Sequence, residues 1–176
     1  WIESRRKEML DFATLIENGV IPCRVTHNDT KISNILFDAK TKEVLCAIDL
    51  DTVMSASVLN DVGDALRCYT NTGAEDAQDL STVSMSLEMF TAYIRGYLSE
   101  MGSSLCPAEL DNLAFSGRYI TFEQVLRFLM DYLDGDTYYK TKYPEHNLVR
   151  ARAQYKLLQS MEAQFPQMCE IVAALR

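Results

Sequence analysis

The run Val25-Thr-His-Asn-Asp-Thr-Lys-Ile-Ser-Asn-Ile-Leu-Phe-Asp38, answered by Ala47-Ile-Asp-Leu-Asp-Thr52, constrains this chain more than any other stretch. A polar loop ends at Asn34. The apolar runs Ile35-Leu-Phe37 and Val44-Leu-Cys-Ala-Ile48 then read as strands across the polar turn Asp38-Ala-Lys-Thr-Lys-Glu43. Such a hairpin sets the ends of two strands on one rim, and with them Asn34 and Asp49. Val20 to Val25 reads as a short extended entry into the loop.

The rest is helical in pattern. Apolar residues from Ile2 to Ile16 recur at helical spacing over residues 2–18, and Gly19 is the expected stop. Asp61 to Tyr69 forms a short helix, with Asn60 or Asp61 as its cap, and a polar connection runs from Asn71 to Asp79. Leu87 to Met101 is a helix ending at Gly102-Ser-Ser. Pro107 opens a long one to about Leu133, with a bend expected at Gly117. Asp134-Gly-Asp-Thr137 is a turn, Asn147 to Ala163 a helix, and Pro166 opens the last. Few strands and many helices predict an α+β fold, mostly α, with residues 1–176 forming one domain or one large lobe.

Composition narrows the function. A net charge of −8 argues against a nucleic-acid groove or a polybasic membrane surface. No apolar run approaches the length of a membrane span, and the charged start Glu3, Arg5, Arg6, Lys7 and Glu8 does not resemble a signal peptide. A cytoplasmic location is therefore expected. The five cysteines are odd in number, lack C-x-x-C spacing, and read as free thiols acting as small core residues. Two histidines are too few for a histidine-based metal site, whereas oxygen ligands for a hard cation are plentiful.

The candidate site residues emerge from this layout. His27-x-Asp29-x-x-x-x-Asn34 and the later Asp49 supply the parts that kinase-type phosphoryl transfer needs. Asp29 is the candidate base, accepting or orienting the acceptor hydroxyl. Alone it would more simply be a turn residue, but Asn34 and Asp49 change the balance. Asn34 and Asp49 are the candidate magnesium ligands, and Asp49 ends an apolar strand where an unpaired carboxylate would be costly to bury. Asp51 is a further candidate, facing the same side as Asp49 if the strand continues. His27 is expected to pin the loop rather than react. Asp61 and Asp64 are read as structural support, Asp64 as a brace for the catalytic loop. Arg127, Asp131 and Tyr132, with Asp136, Tyr138 and Tyr139, are candidates for an acceptor pocket, against the plain alternative that a tyrosine-rich helix is core.

At these residues the sequence resembles the aminoglycoside phosphotransferase and choline kinase superfamily, which has the protein-kinase-like fold. The segments Thr26 to Asp38 and Ile48 to Met54 look closest to its N-acetylhexosamine 1-kinase-like branch, and Asp61 to Arg67 and Arg127 to Asp136 extend the likeness. The resemblance implies a kinase using magnesium and ATP on a small-molecule hydroxyl. Asp29 would be its catalytic aspartate, and Asn34 and Asp49 its metal ligands.

One departure bears on activity. Only 26 residues precede His27, they read as one helix, and no G-x-G pair occurs among the seven glycines. The strand-rich nucleotide lobe of such enzymes is therefore expected to be missing, with its hinge near Trp1. The remaining alternatives are a kinase for choline, an aminoglycoside or another amine, and a non-catalytic ligand-binding lobe. A formylglycine-type sulfatase is discounted, because no proline is preceded two positions earlier by Cys or Ser.

Overall fold

The computed structural model describes residues 1–176. Its axis is α4, a 27-residue helix from Pro107 to Leu133. Proline sits in its first turn, where the missing N–H costs nothing, and the Glu109 carboxylate returns to accept from the Cys106 amide. Against this axis pack α2 (Val58–Tyr69), α5 (His146–Ala163) and α6 (Phe165–Leu175), with α3 (Leu87–Met101) on α6. Leu66, Phe90, Ile94, Leu113, Leu157 and Met161 are fully buried where these helices meet. Each contributes about 1.5–3 kcal/mol relative to exposure. The N-terminal α1 (Ile2–Glu17) is fastened from outside by two ion pairs, Arg5 to Glu162 and Arg118 to Glu8.

The strands form two separate antiparallel pairs. β2 (Ile35–Phe37) and β3 (Val44–Ala47) make the expected hairpin, with Ile35 opposite Ala47. β1 (Arg24–Thr26) instead pairs with β4 (Met54–Ala56), a strand too short to stand out in the sequence pattern from the helix after it. This second pair closes residues 27–53 into one excursion. Its root is tied to the helices by Arg24, whose guanidinium makes two 2.8 Å bonds to the buried Glu109. Burial alone would raise the Glu109 carboxyl, but Arg24 and the Cys106 amide hold it below its ordinary value, so the pair stays ionic.

The α+β, mostly α class is what the structure has, and three local expectations change. The long helix runs unbroken through Gly117, whose bare backbone lets α2 approach: an added Cβ would lie 3.3 Å from Leu66. Helix α2 is capped by Ser57, whose Oγ accepts from the Leu59 amide, so neither Asn60 nor Asp61 is needed for that task. The cysteines are free, but Cys23, Cys46 and Cys169 are exposed and the other two half-buried, so none belongs to the core.

Gly63 marks the closest approach of α2 to α4. A Cβ there would stand 2.5 Å from both the Ile120 side chain and the Ser116 carbonyl oxygen. Alanine ordinarily gains about 0.5–1 kcal/mol over glycine inside a helix, yet overpacking against backbone costs about 1–3 kcal/mol. Gly63→Ala should therefore be net destabilising, lowering the thermal midpoint by a few degrees for a chain of this size. An unchanged or raised midpoint would show that the two helices can separate freely.

Candidate active site

The loop between β1 and β2 is held by backbone bonds to one side chain. The Asp61 carboxylate, in the first turn of α2, accepts from the amides of His27 (2.8 Å) and Asn28 (2.7 Å), and the Asp61 carbonyl accepts from Thr30 Oγ1 (2.8 Å). Two parallel bonds to an anion at a helix N-terminus are a strong form of anchoring. They hold Asn28 in the left-handed region, at φ 62°. Thr52 Oγ1 donates to the His27 carbonyl (2.6 Å) and Asn28 Nδ2 to the Thr52 carbonyl (3.1 Å), so the far end of the excursion is stitched to its beginning. Tyr69 donates its hydroxyl to the Thr30 carbonyl, and burial raises that phenol to about 12, which keeps the donor protonated.

His27 has the pinning role expected of it. Its Nε2 lies 2.9 Å from the Ile48 carbonyl, which can only accept, so Nε2 carries the proton. Bracing falls to Asp61 rather than Asp64. Asp64 instead receives two bonds from Arg67 and stands in the wall of a cavity, with its Oδ2 buried and unpartnered. Arg67, itself buried, is raised above the ordinary guanidinium value. Burial opposes its charge, and neighbouring Cys68, Asp64 and Glu75 more than offset that.

Asp29 and Asn34 are brought together directly. Asn34 is 4% exposed, and its Nδ2 donates both to the Asp29 carbonyl (2.9 Å) and to Asp29 Oδ2 (2.8 Å). Both bonds use the amide nitrogen, which turns the amide oxygen away from Asp29. The Asn34 carbonyl accepts from the Ile48 amide at 2.9 Å, tying this residue to the strand end that precedes Asp49.

Asp49 comes after β3 in the left-handed region, φ 65° and ψ 53°. It precedes a 3-10 turn at Leu50–Thr52 without its side chain bonding that turn. The strand therefore does not continue to Asp51 as the shared-face expectation required. Asp51 sits within the 3-10 turn, exposed, with no partner.

Lys31 has no distinguishing signal in the sequence, although it stands two positions after Asp29. Its Nζ lies 2.6 Å from Asp29 Oδ2 and 3.9 Å from Asp49 Oδ2. The bond to Asp29 raises its ammonium above the usual value. A cation already bridges the two carboxylates. The Asn34 amide oxygen and the Asp49 carboxylate are oxygen donors of the type that suits magnesium.

A cavity of about 730 Å³ opens at Asn28, Asp29 and Lys31 and runs along α4 to Tyr139 and Arg150. Its size is that of a small-molecule site. Arg127 lines it. Asp131 and Tyr132 do not. Asp131 is buried and engaged with backbone amides, and Tyr132 is half-buried. Tyr138 and Tyr139, on the segment after α4, are in the lining instead, together with Gln124 and Arg150. Arg150 lies on α5, more than a hundred residues from Asp29, so nothing local in the sequence ties it to this site.

A kinase-type catalytic loop on a mostly helical body, facing a small-molecule cavity, defines a phosphotransferase class of protein. The model of the phosphotransferase enzyme family, APH, matches residues 3–97, over half of the chain and all of the loop and hairpin. The chain belongs to that family, whose kinases generally use ATP and magnesium.

Asp61→Ala should free the His27 and Asn28 amides and leave two donors without their acceptor, at about 1–3 kcal/mol. Faster hydrogen exchange at those two amides, with α4 and α5 unchanged, is the expected signature. Uniform loss of protection would instead mean that Asp61 supports the whole fold.

Proposed function

We propose that this chain is the C-terminal catalytic and acceptor-binding lobe of an ATP-dependent small-molecule kinase, acting on a hydroxyl of an N-acetylhexosamine or related sugar. The observation that carries the reading is the mouth of the cavity. Asp29, 27% exposed and oriented by Asn34 and Lys31, meets there a space large enough for a sugar. An acceptor seated in it would give its hydroxyl proton to the Asp29 carboxylate as its oxygen attacks the γ-phosphorus, and the bond to the departing ADP oxygen breaks. Lys31 is placed to leave Asp29 and offset charge on the phosphate. Magnesium, held by Asn34 and Asp49, would neutralise the phosphate oxygens. Asp51 stays at most a peripheral ligand, because its turn carries it out of line with Asp49.

The lining favours a sugar over an amine. Arg127 makes no ion pair and lies with its guanidinium 5.6 Å from the Tyr139 ring centre. Arg150 bonds only to Asn147 and the Lys140 carbonyl, 5.3 Å from the Phe128 ring centre. Glu123 is the one carboxylate of the wall without a cationic partner, so an ammonium acceptor meets two free guanidinium groups against one acid. Hydroxyl and acyl oxygens suit those donors better. The overall charge of −8 does not come from this wall, where Asp29, Asp64, Glu75 and Glu123 are matched by Lys31, Arg67, Arg127 and Arg150.

The nucleotide side is read from apolar exposure. Val25 (83% exposed), Val44 and Leu45 on the strand pairs, and Leu50 in the turn after Asp49, are large apolar side chains open to solvent. Exposed apolar groups of that size call for a covering partner, and a nucleotide-binding lobe of the same protein is the one proposed here. No helix is long and apolar enough to cross a membrane, in keeping with a proposed cytoplasmic site of action.

With that lobe present, magnesium-dependent phosphorylation of N-acetylglucosamine or N-acetylgalactosamine is expected. Asp29→Asn should cut kcat by about 10²–10⁴-fold, and Asp49→Asn should raise the magnesium requirement. Residues 1–176 alone should not turn over ATP. Turnover with choline or an aminoglycoside in place of the sugars would keep the kinase and overturn the acceptor. No turnover with any of them would favour a ligand-binding lobe.

A further inference from the structure

We propose that Asp131 is a positioning residue for the acceptor: its carboxylate gathers the 137–139 backbone and Asn147, and so holds the tyrosine and arginine wall of the cavity in place. The proposal rests on the reading of that cavity as the acceptor site.

Asp131 is 6% exposed near the end of α4 and has no cationic partner within ion-pair distance. Its Oδ1 accepts from the amides of Thr137 (3.0 Å) and Tyr138 (2.8 Å), and its Oδ2 from the Tyr139 amide (3.0 Å) and Asn147 Nδ2 (2.8 Å). Burial would raise this carboxyl, yet the three amides hold it below its ordinary value, so it remains an anion satisfied by neutral donors alone. The chain reaches it by reversing through two left-handed residues, Gly135 at φ 88° and Asp136 at φ 58°. Glycine serves the first of these at no steric cost, and aspartate tolerates the second.

Ending a helix needs none of this. A glycine and the 2.7 Å bond from the Asp136 amide to the Asp131 carbonyl would suffice. What the carboxylate adds lies downstream of it. Tyr139, drawn in by its own amide, packs on Phe128 with ring centres 4.9 Å apart and accepts from Gln124 Nε2 at 3.3 Å. Arg127 rests over the same ring. Asn147, held by Asp131 and by Asp136 Oδ1 (2.8 Å), turns its own Oδ1 to Arg150 at 3.0 Å. Gln124, Arg127, Phe128, Tyr138, Tyr139 and Arg150 all line the cavity, and Asp131 touches none of its space. One buried charge thus sets the geometry of a wall drawn from α4, α5 and the segment between them. A supporting shell of this kind is what keeps contact residues within a fraction of an ångström of a useful position.

Asp131→Asn keeps the shape but turns an amide nitrogen toward donors. In the full-length protein containing this chain, KM for N-acetylglucosamine should rise about tenfold, the scale of a lost hydrogen bond to a charged group. The kcat and the KM for ATP should stay within about twofold. Tyr139→Ala should also raise the acceptor KM, and the double variant should be no worse than the poorer single one. Independent, multiplying effects, or a fall confined to kcat, would overturn the proposal. Hydrogen exchange at the 137–139 amides supplies a readout free of catalysis and should accelerate in Asp131→Asn. Slow exchange retained there would sink the latch itself. Should Asp131→Asn fail to fold, Asn147→Ala removes one of the four donors and the partner of Arg150. An unchanged acceptor KM in that variant would likewise overturn the proposal. Wild-type protein that phosphorylates no sugar would defeat the sugar-acceptor reading, and one that phosphorylates no acceptor at all would defeat the kinase reading with it, while the exchange data still decide the latch.

Discussion

The carboxylate of Asp61 holds two consecutive amides of the loop that carries Asp29 and Asn34. Those amides belong to a segment with a left-handed residue and no regular secondary structure, so without an acceptor they would be unpaired and the loop unanchored. The acceptor is presented from the first turn of α2, and α2 is in turn locked to α4 by the glycine contacts at Gly63 and Gly117. Rigidity therefore passes from the helical core, through one side chain, into a loop that makes few apolar contacts of its own. Asp29 and Asn34 inherit their relative position from this anchoring, and their mutual bond adds the last constraint.

Charge in the site is managed by pairing rather than burial. Lys31 answers Asp29 and, at longer range, Asp49, while Arg67 answers Asp64 and Glu75. The Lys31 pairs are of the exposed kind that contributes little to stability, Lys31 being nearly half exposed, whereas Arg67 is buried. The importance of Lys31 is positional: one cation stands beside both Asp29 and Asp49. Buried charge behaves differently. Glu109 and Asp131 are enclosed, each fully satisfied, and each ties separate elements together: β1 to α4 in one case, the post-α4 segment to α5 in the other. Removing a partner from such a group leaves an uncompensated charge, which is why these two positions, and not the surface pairs, set local geometry.

Asp29 stands at the mouth of a cavity lined by hydroxyl, amide, guanidinium and carboxylate groups, while Val25, Val44 and Leu45 lie uncovered on the strand pairs.

Much of this was legible in the residues alone. The loop, the hairpin and the long helices announce themselves by local pattern: turn residues between apolar runs, 3.6-residue periodicity, proline at a helix start. The nearness of Asp29 to Asn34 follows from spacing because the loop that joins them is itself local. The pairing of β1 with β4 was not legible, since a three-residue strand has too few side chains to show alternation. Nor was the left-handed turn at Asp49 that takes Asp51 out of line, or the closeness of packing that lets α4 pass straight through Gly117. Asp131 belongs to the region the sequence points to, but its task is a different one. Sequence can place a carboxylate near a pocket, but whether it faces the ligand or the backbone behind it depends on where the chain returns after the helix. The cavity wall joins Gln124, Arg127, Tyr139 and Arg150 from different elements, and only the packing of α5 against α4 decides that they share one space. Sequence by itself determined the catalytic signature and the helical class, both products of short-range order. Tertiary structure decided the pocket and its supports, because these depend on contacts between residues far apart in the chain.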